Sequence, residues 1–259
     1  MVKKLLTPVN AGGGGHLTDE ELAAHLAQEA GRLLIAQRAG TLLEGAALGH
    51  VADKVANAFI LTGLAEWRPG DAVLSEESFD DKARLGQSRV WIIDPLDGTR
   101  EYGEGRPDWA VHVALAVDGV PRIGAVALPA RGKLFRSDRV QAPTEAGRQR
   151  PLIAVSRTRP PPEAADIAAL LGGDLVALGS AGVKAMAVVA GEADVYYHAG
   201  GQHEWDNCAP AAIALAAGMV ASRLDGSPLV YNRADTNIPD LVIARPALAG
   251  RILDFCRQR

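Results

Sequence analysis

Asp94 and Asp97 lie within the stretch RVWIIDPLDGTREY, residues 89–102, where an apolar run ends on two carboxylates separated by Pro95 and Leu96. Residue 94 precedes a proline and is held extended, so its carboxylate continues the line of the run while Asp97 folds back beside it. Two anions held that close repel, and one pKa rises unless a cation sits between them. Buried carboxylates without a partner are costly, so this pair calls for a metal. Oxygen ligands of this kind suit magnesium, which combines carboxylates with water and substrate phosphate. No cluster of His or Cys offers zinc a better site. Further acids fall at the ends of expected elements: Glu76 and Glu77 after VLS, Asp206 at a helix start, and Asp53 near the start of another helix. Singly, each has an ordinary reading, Asp206 as an N-cap, the glutamate pair as a solvated turn, Asp53 as an exposed helix charge.

The elements that must position these acids follow from patterning. Thr18 and Glu21 have capping-box spacing, and Leu22, Leu26, Leu33 and Leu34 give an apolar face to a helix ending near Gly40. The same periodicity predicts a second helix over 53–67. RPGDAVLSEES passes from turn residues into a short strand that ends on carboxylates, and RVWIID is a strand whose ladder Pro95 stops. Alternation around Asp118 and Gly119 predicts a hairpin, so antiparallel strands dominate the first half. A polar stretch over 136–150 separates this lobe, 17–140, from a second, 150–259. There PLIAVS, DLVALG and ADVYYH read as strands, with one helix after Glu163, one capped by Ser180 and running through Ala190, and an alanine-rich one over 206–218. The glycine run within 1–16 has linker chemistry, because no strand precedes it and no Gly-Lys-Ser/Thr follows.

At 259 residues, with 48% hydrophobic and 22% charged residues, the composition is that of a globular chain able to bury a sizeable core. A net charge of −4 gives no basic field for nucleic acid or a membrane surface, so an anionic substrate must be held locally. The 2 cysteines form no CxxC pair and are expected reduced. The apolar run opening the chain is too short for a signal segment, which points to the cytoplasm.

LSEES, WIIDPLDGT and EWDNCAPAAIALAAG resemble the three signature segments of the inositol-monophosphatase-like superfamily of magnesium-dependent, lithium-sensitive phosphatases, in that family's order. The resemblance covers the chain from about residue 17 onward. DGTREY is similar to the form found in the 3′(2′),5′-bisphosphate nucleotidase branch rather than to the inositol branch, and the run from Gly179 to Asp206 is similar to the bacterial sulfur-assimilation members. Two positions depart. Pro210 stands where the family motif has glycine, a change that a first helical turn tolerates, and Arg159 stands where some nucleotidases have histidine.

The resemblance implies a layered αβαβα sandwich (α+β or α/β) and removal of the 3′-phosphate from adenosine 3′,5′-bisphosphate, with its 5′-phosphosulfate as a further substrate. It implies two or three Mg2+ ions, held by Glu76, Asp94, Asp97, Asp206 and the Leu96 carbonyl, with Asp53 at a weaker one. Thr99 would orient the attacking water, Glu76 or Asp53 would take its proton, and Gly98 and Thr99 would offer N–H groups to the phosphate. Ser180, Gly182 and Lys184 at a helix start, with Ser156, Thr158 and Arg159, are candidates for the remaining anion and ribose. His198 and His203 are further candidates for lining the pocket, and Trp205 for a wedge that fixes Asp206. The family allows a homodimer. The metal site is shared with inositol-1-phosphate and fructose-1,6-bisphosphate phosphatases, which are the enzymatic alternatives. A non-catalytic metal- or nucleotide-sensing module is a third. A haloacid-dehalogenase-type phosphatase is disfavoured, because that chemistry needs one residue between its aspartates.

Overall fold

A computed structural model describes residues 17–142 and 148–258, so the leader expected over 1–16 lies outside the described residues. Helix α1 (Asp19–Gly40) begins on the expected box: Thr18 Oγ1 accepts the Glu21 N–H at 3.2 Å, and the Glu21 carboxylate accepts the Thr18 N–H at 3.1 Å. Leu22, Leu26 and Leu34 are buried, whereas Leu33, expected on the same face, is 39% exposed. Helix α2 spans Gly45–Trp67 and starts eight residues before the expected boundary, which places Asp53 in its interior.

The first sheet contains β1 (Ala72–Ser75), β2 (Arg89–Asp97), β3 (Ala110–Val117), β4 (Val120–Leu128) and β5 (Lys133–Arg136), in that order. β1 is parallel to β2 and the other pairs are antiparallel. The hairpin at Asp118 and Gly119 is present, both residues having positive φ, as a tight two-residue turn requires. The short helix α3 (Thr99–Gly103) follows β2.

The second half supplies β6 (Leu152–Ser156), α4 (Ala164–Leu171), β7 (Asp174–Leu178), α5 (Ala181–Val189), β8 (Val195–His203), α6 (Glu204–Ala216), β9 (Val220–Ser222), β10 (Asn237–Ala244) and α7 (Pro246–Arg257). Its sheet runs β7-β6-β8-β10-β9. β8 runs beyond the expected ADVYYH segment through Gly200 and Gly201, because β10 pairs with it as far as His203.

Strand alternation builds the layers. Trp91 and Ile93 point into a core shared with α1 and α2, while Val90 and Ile92 point into a middle core with α5, α6 and residues of the second sheet. Ile153, Val155 and Val242 face α4 and α7 in a third core. The order is α1/α2, first sheet, α5/α6, second sheet, α4/α7: the αβαβα sandwich. Neither cysteine is in a disulfide. Among the described residues no helix is long and apolar enough to cross a membrane.

Candidate metal centre

β2 carries Asp94 and Asp97 to the edge of the middle layer, where its ladder to β3 slips: Asp94 pairs with His112 and Asp97 with Ala110. The extra residue on β2 forms a bulge. Pro95, expected to stop the ladder, interrupts it, and the strand resumes as far as Asp97. Asp94 Oδ1 accepts the Leu96 N–H at 3.1 Å, closing the kink. Gly98 follows at φ 91°, where an L side chain is strained, and a Cβ there would lie 3.3 Å from Ser180 and Trp109. Thr99 then opens α3 and donates through Oγ1 to the Leu96 carbonyl at 3.0 Å, with Asp53 Oδ2 at 3.4 Å.

Asp206 arrives from the other half. It is the third residue of α6, and its Oδ2 accepts the His203 N–H at 2.6 Å, so the N-cap is His203 and not Asp206 itself. Ligand oxygens of Asp94, Asp97 and Asp206 all lie within 4.8 Å of one another. Glu76 stands at the rim, where its carboxylate feels the charges of Asp206 and Asp97. Pro210 lies in the interior of α6, not in its first turn, and its missing N–H leaves the Asp206 carbonyl without a helical donor.

The start of α5, expected to face substrate, lines the cleft described below through Ser180 and Lys184, and its N–H groups already serve a carboxylate of the chain. Ser180 Oγ donates to Asp97 at 2.5 Å, and the Ala181 and Gly182 N–H groups donate to the same carboxylate at 3.0 and 2.6 Å. An anion therefore already sits at this helix terminus, and it is the protein's own. Lys184 is buried and donates to the Gly179 and Ser180 carbonyls at 2.9 and 2.6 Å, bracing a turn in which Ser180 has φ 33°.

The carboxylates divide electrostatically. Burial, followed by the charges of Glu76 and Glu77, pushes Asp53 up to about 8. Burial and then Asp206 raise Glu76 to about 7, and burial and then Asp97 raise Asp206 to about 6. Asp94 is held well above the usual carboxylate range by burial and then Glu76. For Asp97 burial acts upward too, but His112, Lys184 and Ser180 outweigh it and bring the group down to about 2. Burial lowers Lys184 to about 8.

Among the described residues, His112 and Lys184 help bring Asp97 down, whereas at Asp206 the charges of His112 and His203 do not offset burial and repulsion. Asp53 Oδ1 is buried with no hydrogen-bond partner. Hard oxygens in mutual repulsion, one of them orphaned, fit a divalent cation.

Two hollows meet at these acids. A cleft of about 380 Å³ is lined by Glu76, Asp97, Thr99 and Asp206 together with Ser156 and Arg159. His198, His203 and Trp205 also line it, and the His203 ring stacks on the indole at 4.6 Å. A second hollow of about 550 Å³ reaches Asp53, Glu76, Glu77 and Thr99 from the α2 side. Glu76 and Thr99 face both, so the acids form the wall between a substrate-sized cleft and a second opening.

Sequence reasoning missed two supports. Asn57, one turn after Asp53, accepts from Ser75 Oγ at 2.7 Å and donates to Ser78 at 3.0 Å, bracing the loop that carries Glu76; its spacing from Asp53 was the available signal. His112 contacts Asp97, and a lone histidine in an apolar strand gives no such signal.

An αβαβα sandwich that brings oxygen ligands from both halves to one cleft is the arrangement of a metal-dependent phosphatase. The chain belongs to the inositol monophosphatase family, whose sequence pattern matches residues 19–253. It is 52% identical to a Mycobacterium leprae protein named 3′-phosphoadenosine 5′-phosphate phosphatase, over 93% of this chain and 94% of the relative. The Escherichia coli 3′(2′),5′-bisphosphate nucleotidase CysQ is 32% identical over 70% of this chain and 78% of its own length. Among solved structures, CysQ from Bacteroides thetaiotaomicron matches with a TM-score of 0.78 at 27% identity, covering 86% of this chain and 96% of that one.

Proposed function

We propose that this phosphatase removes the 3′-phosphate of adenosine 3′,5′-bisphosphate, and of its 5′-phosphosulfate, by in-line attack of water with two or three Mg2+ ions bound. The observation that carries the reading is the convergence of Asp94, Asp97 and Asp206 from separate halves of the chain beside the cleft. The nucleotide substrate rests on the M. leprae relative named for it, similar over 93% of this chain.

Asp94, Asp97, Asp206, Glu76 and the Leu96 carbonyl would hold the ions, with Asp53 at an additional one. Bound there, divalent ions neutralise charge on the attacking and leaving oxygens of the phosphoryl group. Thr99 Oγ1, which contacts the Leu96 carbonyl and Asp53, would orient the attacking water. Asp53 Oδ1, which has no partner, or the Glu76 carboxylate takes its proton. The Gly98 and Thr99 N–H groups would donate to the phosphate, at a turn where Gly98 has φ 91°. Arg159 lines the cleft, where it would meet the 5′-phosphate, and Lys184 in the same lining would add buried positive charge.

Phosphate release from adenosine 3′,5′-bisphosphate, inositol 1-phosphate and fructose 1,6-bisphosphate, each with and without Mg2+, tests the reading. The nucleotide should give the highest kcat/KM, and only with Mg2+. A large preference for the inositol or sugar ester would reject the substrate, and metal-independent turnover would reject the site.

A further inference from the structure

His112 is the one polar residue of β3, whose sequence is AVHVALAV, and its side chain is fully buried. A polar ring buried this deeply is costly unless its nitrogens find partners. Its Nδ1 lies 3.1 Å from the Trp205 carbonyl, and its Nε2 lies 3.2 Å from Asp97 Oδ2, close in charge though off the line of an ideal hydrogen bond. Trp205 immediately precedes Asp206. The ring therefore touches the carboxylate that ends β2 and the backbone that carries the carboxylate of α6. On its third side the first turn of α5 packs so closely that a Cβ on Gly182 would lie 2.1 Å from Nε2.

We propose that His112 is a positioning residue that straps the end of β2 to the start of α6 and so sets the spacing between Asp97 and Asp206 on which divalent-cation binding depends. This rests on the metal-site reading above, but not on the identity of the substrate. Asp97 does not need the ring for its own satisfaction, since Ser180 Oγ and two backbone N–H groups already donate to it. What the ring adds is a tie between ligands supplied by different halves of the chain. Outer partners of this kind orient ligands, and their loss weakens metal binding by about 10- to 100-fold.

Isothermal titration of the metal-free full-length protein with Mn2+, in the absence of substrate, tests this in wild type, His112→Phe and His112→Asn. Phenylalanine fills the space and breaks both contacts, so Mn2+ affinity should fall about tenfold or more with unchanged far-UV circular dichroism. Asparagine can donate to one of the two oxygens and should fall between wild type and His112→Phe. At saturating metal the KM for substrate should stay at its wild-type value, because His112 does not line the cleft. Wild-type Mn2+ affinity in either folded variant overturns the proposal. If His112→Phe fails to fold, the His112→Asn affinity decides, and failure of both to fold assigns the residue to the core alone and also overturns it. A wild-type protein that binds Mn2+ but releases no phosphate from nucleotides would sink the substrate reading and leave this one intact.

Discussion

Asp94 and Asp97 are both buried, yet their surroundings drive them in opposite directions. Asp97 collects a hydroxyl, two N–H groups and a histidine, and titrates near 2. Asp94 faces Glu76, Asp97 and Asp206 and is raised. The two amide substitutions should therefore part company. Asp94→Asn removes a ligand charge without changing volume and relieves repulsion, so phosphate release should disappear while the metal-free protein melts no lower than wild type. Wild-type-like turnover of that variant in excess Mg2+ would remove Asp94 from the site. Asp97→Asn loses the anion that caps α5. A depression from 3.8 to about 2 corresponds to about 2 kcal/mol of stability at neutral pH, so this variant should unfold earlier in urea by that amount as well as lose activity. Equal stability of the two variants would show that the cap is not made.

At the level of elements, the acids are only as well placed as the helices and loops beneath them. Asn57 on α2 pins Ser75 and Ser78 on either side of Glu76. Asn57→Ala leaves the buried Ser75 hydroxyl without its acceptor, at about 1–3 kcal/mol, and frees the Glu76 loop. The Mg2+ concentration for half-maximal activity should rise, and a variant that loses stability with unchanged Mg2+ dependence would confine Asn57 to a structural part. Which elements were legible in the sequence depends on whether their signal was local. The Thr18 and Glu21 box, the Asp118-Gly119 turn and the Asp-Pro-Leu-Asp kink each carry their cause within a few residues. The first turns of α2 do not, because Glu44 makes no side-chain cap and two glycines weaken the periodicity. β8 passes through paired glycines only because β10 holds it there, and β9, β10 and α7 carried no motif that tied them to the site. The acids themselves were legible by type. That Asp97 would occupy the start of α5, and His112 bridge to α6, depends on contacts between halves that no local pattern encodes.

Across the whole molecule, the sandwich brings more negative charge to one place than its own cations offset, and that imbalance has a pH signature. Asp206, Glu76 and Asp53 titrate at about 6, 7 and 8 in the folded metal-free chain, well above their ordinary values of 3.8 to 4.5. Once unfolded, the same groups lose their protons near those ordinary values. Between roughly pH 4 and pH 8, the folded state therefore holds protons that the unfolded state has released, and stability must fall as pH rises through this window. Asp97 acts in the opposite sense only below about pH 4, and His198, which burial lowers to about 4, opposes the trend between about 4 and its ordinary 6.5, one group against the three raised acids. Cations bind the deprotonated carboxylates, so their stabilisation must grow as the protons leave. In differential scanning calorimetry the metal-free protein should show its highest Tm near pH 5 and a lower one near pH 8. Millimolar Mg2+ should raise Tm more at the higher pH than at the lower. A Tm that stays level or climbs between those values without metal, or a Mg2+ increment that is the same at both, would mean that the acids do not repel one another as their positions require.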